Sequence, residues 1–238
     1  MASISHCDKF SLIGGECLLH PNLLELLDIA KAYGIGDVVS LTTNGQLLDR
    51  YGKEFWSRLD RIEMGIYAGK WDVESFGALL DTIQDWSIPA FLGMVGSHDP
   101  ILLRMVQDHC KLNPKLWQTC SNSSFHPTLS SDYADEPEAQ RRFTRCLYGH
   151  VCNTLDQGYV YRCPEACFIP TLYPTSIEKA DRLVIQDLTA ASFLDLVRAE
   201  EHLGTCHLCR SLECYFPWQE VPEGTTPEEW IRLAKESE

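Results

Sequence analysis

The sequence predicts an α/β fold built on parallel strands, followed by a small cysteine-rich module of β-hairpin and helix. Three observations carry this reading. A strand-plus-helix pattern recurs four times in the first half of the 238 residues, a glycine-rich or polar joint follows each apolar run, and seven of the 11 cysteines fall between Cys146 and Cys214.

Apolar or β-branched runs begin near Phe10, Val38, Ile62 and Ala90, roughly 24 to 28 residues apart, a step that suits a strand with its crossover helix. Helical spacing of apolar residues follows the first run at Leu23, Leu26, Leu27 and Ala30, and the third at Phe76, Leu79, Leu80 and Ile83. After the second run a looser helix is expected, with Leu48, Tyr51, Phe55 and Leu59 on one side. The fourth helix is expected to start after Asp99-Pro100, where proline suits the first turn, and to bury Leu102, Met105 and Val106. Strands joined through helices run parallel, so the first half is an open α/β sheet or part of a barrel.

Ligands of parallel α/β sheets sit at the carboxyl ends of the strands. The joints there are Gly14-Gly15-Glu16, Thr42-Thr43-Asn44-Gly45, Tyr67-Ala68-Gly69 and Gly93 to Asp99. Small residues admit a ligand close to the backbone, while the carboxylate of Glu16 and the polar groups of Thr43 and Asn44 can orient an amine or hydroxyl. Ordinary strand-to-helix turns would carry the same residues. His20 and His98 stand at such joints and read as turn or packing residues.

The 34 acidic against 20 basic residues give a formal charge of -14. That is opposite to the footprint a nucleic acid or an anionic membrane surface requires, so neither is an expected partner. Trp56, Trp71 and Trp86 accordingly read as core and interface rather than as a base-stacking platform. The N-terminal residues lack the basic and apolar regions of a signal peptide, and no stretch is long enough for a membrane span. A cytoplasmic location is expected, where clustered cysteines point to a metal or to catalysis rather than to disulfides.

The second half loses the repeat. A final strand is expected near Leu116 to Thr119, then a long polar connection and a short charged helix from about Glu138 to Arg145. Asp156-Gln157-Gly158 between Thr154-Leu155 and Tyr159-Val160-Tyr161 reads as a hairpin with glycine at a left-handed position. A helix over about Thr189 to Ala199 follows, then Cys206-His207-Leu208-Cys209 and Cys214; Thr226 is expected to cap a short C-terminal helix. A Cys-x2-Cys turn presents two thiolates to one metal centre, and four thiolates serve either a 4Fe-4S cluster or a structural zinc. Zinc ribbons typically use two such knuckles, and only one occurs here.

Phe10 to Asp49, with Gly14-Gly15-Glu16, then Leu19-His20-Pro21 leading into a helix, then Thr43-Asn44-Gly45 closing the next strand, resembles the second and third βα units of radical S-adenosylmethionine (radical SAM) enzymes. The resemblance implies a partial (β/α)6 TIM-like barrel over residues 1–135 lacking its first βα unit. It also implies contact of Gly14, Gly15 and Glu16 with the amino group of S-adenosylmethionine, with Thr43 and Asn44 as further candidate cofactor-binding residues. Cys17 stands where that family often has proline. The family's radical-generating 4Fe-4S cluster is held by Cys-x3-Cys-x2-Cys after the first strand. No such motif occurs in these 238 residues, since the residue three beyond Cys163 and Cys167 is Pro170.

Eleven residues separate Cys146 from Gly158 and four separate Gly158 from Cys163, a spacing similar to that of the SPASM and twitch auxiliary-cluster domains of radical SAM enzymes. The resemblance implies a twitch-like domain over residues 136–238 that binds one auxiliary 4Fe-4S cluster through Cys146, Cys163, Cys206 and Cys209. Cys152 and Cys167 are the alternatives at those positions, and zinc is the alternative metal. Two function classes follow. One is a radical SAM-type iron–sulfur enzyme acting by hydrogen abstraction on a small-molecule or peptide substrate, with a flavodoxin or ferredoxin as electron donor; no acid/base catalytic residue is assigned. The other is a non-catalytic or truncated relative, an auxiliary-cluster or zinc-binding accessory protein unable to generate the radical alone.

Overall fold

The fold is that of a computed structural model describing residues 6–67, 69–95, 100–112, 117–122, 124–125, 133–146, 149, 152–172, 181–209, 216–217, 226, 229 and 232. The chain divides into two compact units, residues 3–124 and 125–238.

The first unit is α/β. Its sheet runs in the order β1 (Cys7–Leu12), β2 (Gly36–Thr43), β3 (Arg61–Tyr67), β4 (Ala90–Val95) and β5 (Trp117–Asn122). Every neighbouring pair is parallel, with Lys9 opposite Val38, Ser40 opposite Arg61, Ile62 opposite Ala90, and Ala90 opposite Trp117. Connections through helices impose this direction, and strand order that follows chain order places each crossover beside the last. The carboxyl ends of all five strands therefore lie at one end of the sheet.

The helix α1 (Leu23–Tyr33) buries Leu23, Leu27 and Ala30 and stops at Gly34, whose φ of 56° lets its N–H reach back to the carbonyls of Ala30 and Lys31. The second crossover departs from expectation. In place of one helix it forms a 3-10 turn over Leu48–Arg50 and a four-residue α2 (Lys53–Trp56). Tyr51 and Gly52 between them are extended, and the Trp56 indole N–H donates to the Tyr51 carbonyl at 3.3 Å. Glycine disfavours helix continuation, and the break still leaves Leu48, Phe55 and Leu59 buried. Trp56 is also buried, whereas Trp86 is 39% exposed.

The helix α3 (Val73–Asp85) starts at Asp72, which accepts from the Ser75 N–H, and buries Phe76, Leu79, Leu80 and Ile83. The helix α4 spans Pro100–Leu112 and buries Leu102 and Val106, with Met105 packed beside them. These follow the apolar spacing because one stripe of each helix covers the sheet. The core residues Leu27, Leu41, Ile62, Phe76, Leu80, Ile83 and Leu92 are wholly excluded from solvent, each stabilising the unit by about 1.5–3 kcal/mol.

The second unit contains α5 (Glu136–Arg145), capped by Asp135, and a three-stranded antiparallel sheet of β6 (Thr154–Asp156), β7 (Tyr159–Tyr161) and β8 (Arg182–Val184). The β6–β7 turn places both Gln157 (φ 46°) and Gly158 (φ 83°) in the left-handed region, as a two-residue hairpin turn requires. The helix α6 (Pro164–Leu172), with Pro170 inside it, and the strand β8 are not foreseen from spacing. The helix α7 (Ala190–Arg198) opens with a capping box between Thr189 and Ser192 and buries Leu196. Thr226 and Glu229 bond reciprocally in the manner of a cap. His98, Asp99, the connection over 126–132, Cys214 and most of the expected C-terminal helix lie outside the described residues. Among the described residues no helix is long and apolar enough to cross a membrane.

Candidate functional sites

The first site is the rim formed by the ends of β1 and β2. Glu16 follows β1 with its side chain turned toward β2. Its Oε1 accepts from the Leu18 N–H at 3.0 Å and the Thr43 hydroxyl at 2.6 Å, and its Oε2 accepts from the Asn44 N–H at 2.9 Å. Thr43 in turn accepts from the Gly45 N–H at 3.0 Å, and the Asn44 Oδ1 accepts from the Gln46 N–H at 2.9 Å. A carboxylate has about four acceptor positions, so Glu16 ties two joints together and, among the described residues, keeps one lone pair on Oε2. Gly45, at φ 79°, is required there, since a Cβ would meet the Trp71 ring at 3.0 Å and the Met64 sulfur at 3.2 Å.

Gly14 and Gly15 are exposed, and nothing lies within 4 Å of where a side chain would start. They floor an open cleft of about 400 Å³ with Ile13, Glu16, Leu19 and Pro21. The sequence-predicted rim residues Gly14, Gly15, Glu16, Thr43 and Asn44 are thus contiguous, but Thr43 is buried and serves Glu16 rather than the cleft. Burial pushes the Cys17 thiol up to about 11, with Glu16 adding to the effect, so Cys17 is an unreactive packing group at neutral pH. His20 accepts from the Asn22 N–H at 3.1 Å, the role of a turn residue.

The second site is a set of thiols in residues 125–238. Cys146 ends α5, Cys163 precedes α6, and Cys206 and Cys209 lie in and after a 3-10 turn over Gly204–His207. The Cys163 thiol is driven far up, first by burial, with Cys209 and Cys206 among the charges that act on it. Cys206 is pushed up to about 12, again first by burial, with Cys209, Asp181 and Cys146 adding. The electrostatic neighbours of Cys163 thus include Cys206 and Cys209, and those of Cys206 include Cys209 and Cys146. Cys167, pushed up to about 11, is governed by its burial and Asp156 instead. The Gly149 N–H donates to the Cys146 sulfur and the Ala166 N–H to the Cys163 sulfur, both at 3.4 Å. Such amide bonds to sulfur tune iron–sulfur centres.

Two arginines frame this set, and spacing alone names neither. Arg142 donates from Nη1 to the carbonyls of Cys206 (3.4 Å), His207 (3.1 Å) and Cys209 (3.1 Å), which fixes the Cys-x2-Cys turn against α5. Arg162, only 1% exposed, donates to the carbonyls of Gly149 (3.3 Å), Glu201 (3.2 Å) and Ala199, and lies 4.5 Å from the centre of the Phe143 ring. Burial pulls its guanidinium down, opposed by Cys206, Cys163 and Asp181. A buried cation beside thiols is electrostatically complementary to an anionic thiolate-bound centre.

The described thiols are not gathered as tightly as a single metal ion would hold them. Four thiolates on one zinc stand about 3.8 Å apart, from Zn–S bonds of about 2.3 Å. Among the described residues, ligand atoms of three or more His, Cys, Asp or Glu lie within 4.8 Å of one another only at Glu136, His202 and His207, so no three of the described thiols are that close.

No protein-family model matches the chain. A stretch of 42 residues is 57% identical to GTP 3',8-cyclase from Chlorobaculum tepidum and makes up 18% of this chain. The match covers 13% of that relative's length. It supports, over that stretch and no further, a relationship to the radical SAM enzymes.

Proposed function

We propose that the chain is a radical SAM-type iron–sulfur protein carrying one auxiliary 4Fe-4S cluster on Cys146, Cys163, Cys206 and Cys209. What supports this reading is the sequence spacing of those four cysteines, together with the electrostatic neighbourhood that links Cys163 and Cys206 to Cys209, Cys206 to Cys146, and both to buried Arg162. The five parallel strands in chain order are compatible with an arc of a (β/α)6 barrel. The open glycine rim at Gly14 and Gly15, with Glu16 holding one free lone pair, suits the amino group of S-adenosylmethionine.

When bound, the auxiliary cluster supplies one-electron chemistry or a Lewis-acidic iron to a small-molecule or peptide substrate. The chain's own residues position and enclose it. Arg142 and Arg162 fix the two cysteine-bearing turns, and the Gly149 and Ala166 amides hold charge on the sulfurs. An electron donor of flavodoxin or ferredoxin type is the matching partner, in the cytoplasm.

Anaerobic reconstitution with iron and sulfide tests the cluster. We expect about four irons per chain, as a 4Fe-4S cluster requires, and an EPR signal on reduction. Both should be lost when Cys206 and Cys209 are changed together to alanine; zinc uptake without iron overturns the assignment. A second reading is an accessory protein that cannot generate the radical alone. Release of 5'-deoxyadenosine from S-adenosylmethionine and dithionite by this chain alone would exclude it.

A further inference from the structure

Glu136, at the start of α5, meets His202 and His207 in a cluster that includes none of the thiols. The Nε2 atoms of the two histidines lie 3.2 Å apart, and the Glu136 carboxylate oxygens lie 3.2 Å from His202 Nε2 and 3.7 Å from His207 Nε2. The other ring nitrogens assign the tautomers. His207 Nδ1 is 2.6 Å from the Ala134 carbonyl, which can only accept. His202 Nδ1 is 3.3 Å from Gln140 Oε1, which already accepts the His202 backbone N–H at 3.0 Å and so is the amide oxygen. Each imidazole therefore donates from Nδ1 and, when neutral, aims a bare Nε2 lone pair at the other and at a carboxylate.

Three acceptors converging without a donor repel one another unless a cation lies among them; one proton could satisfy a single pair. Hydrogen-bonded Nδ1–H groups with free Nε2 atoms are the arrangement that orients histidine for a metal. Two nitrogens on a tetrahedral zinc, at about 2.0–2.1 Å each, stand about 3.3 Å apart, close to the 3.2 Å found here. His207 is buried and stacks on Tyr133 at 4.4 Å between centroids, and its neighbour His202 meets it edge-on. The histidine pair is thus held rigidly, with exposed Glu136 closing the set from the solvent side.

We propose that Glu136, His202 and His207 bind a divalent first-row transition-metal ion, of the zinc or ferrous type, through two imidazoles and one carboxylate. Three protein ligands leave a coordination position open. It faces a cleft of about 530 Å³ lined also by Gln140, Glu201 and Gly204, which has room for water or a small substrate. His207 of this set stands between Cys206 and Cys209, the two neighbouring cysteines assigned to the cluster.

The test is anaerobic titration of the full chain with Co²⁺ alone, after reconstitution with iron and sulfide. We expect one equivalent of cobalt to give ligand-field bands without thiolate-to-cobalt charge transfer, in competition with zinc. Glu136→Gln, at a surface position that folding tolerates, should weaken cobalt binding about tenfold or more. His202→Ala should abolish the bands, while iron and sulfide content stays unchanged in Glu136→Gln. Failure of cobalt to bind saturably, bands that survive both substitutions, or a spectrum dominated by thiolate charge transfer would overturn the proposal. A chain that takes up no iron yet shows these bands would refute the cluster and leave this site standing.

Discussion

In residues 3–124 the buried side chains are almost all hydrocarbon, from Leu18 through Leu41, Ile62 and Leu80 to Val106, whereas in residues 125–238 the buried set includes Cys163, Cys167, Cys206, Arg162, Asp181 and His207. The first unit is held by apolar burial, and its polar groups sit on a rim with partners of their own. The second sets charge and thiols in and beside a smaller hydrophobic cluster that includes Ala139, Phe143, Tyr161, Ala166 and Leu203. Arg162 and Asp181 are compensated by carbonyls and amides: Asp181 accepts from the Gly204 N–H at 3.1 Å and the Thr205 N–H at 3.3 Å. The stability of that interior therefore depends on complete pairing of its buried charges as well as on its apolar contacts.

Substitutions in each interior test this contrast. The largest effect is expected at Arg162→Leu, which leaves three carbonyls without their donor and Asp181 without its nearby cation; about 3–5 kcal/mol should be lost. Hydrogen exchange should show protection falling in residues 152–172 and 181–209 while the β1–β5 sheet keeps its own. Equal loss in both units would show that the interiors are not independent.

Leu80→Ala is the reciprocal probe. Leu80 is wholly buried in the apolar core, and truncation should destabilise the first unit by about 2–4 kcal/mol without altering iron content after reconstitution. Denaturant unfolding followed by tryptophan fluorescence would report it. Loss of iron binding would mean that the two interiors stand or fall together.

Glu16→Gln acts on the rim. It exchanges an acceptor-only group for one whose amide must face the donor hydroxyl of Thr43 or the N–H of Asn44, at a cost of about 1–3 kcal/mol. S-adenosylmethionine affinity, measured by calorimetry, should fall at the same time because the two joints lose their tie. An unchanged affinity would place the ligand elsewhere.

The smallest effect is at Asp72. The Ser75 N–H and then the Ser75 hydroxyl hold its carboxyl below the ordinary 3.8. Because the folded value is depressed, the cap contributes fully above pH ~3.8 and its contribution disappears as pH falls through the lower folded value. Asp72→Ala should lower Tm by about 2–4 °C at pH 7, and the difference from the parent should vanish in strong acid. A difference independent of pH would mean that the carboxylate is not the cap.

Much of the first unit is legible in the sequence because its physics is local. Apolar stripes at Leu23, Leu27 and Ala30 and at Phe76, Leu80 and Ile83 both specify helices and choose the face they bury. Crossover connections then leave only the parallel direction for the strands between them. The helix expected across Tyr51-Gly52 is absent: the apolar spacing holds there, but glycine and the Trp56 indole break the helix. In the second unit the hairpin at Gln157-Gly158 is readable from its turn chemistry. The helix α6 and the strand β8 are not, because Pro170 disguises one and three residues are too few to signal the other.

The strand-and-helix repeat, the glycine rim and the spacing of the four cysteines are properties of the chain before it folds, since each depends on neighbours within a few tens of residues. Three other features come into being with the packed chain: Glu16 spans two joints, Arg162 is buried beside the thiols, and Glu136 meets His202 and His207. Glu136 stands 66 residues from His202, and no local pattern links them. Their lone pairs converge because Arg142 and Gln140 dock the 202–209 segment onto α5, a contact that exists only after the chain has folded.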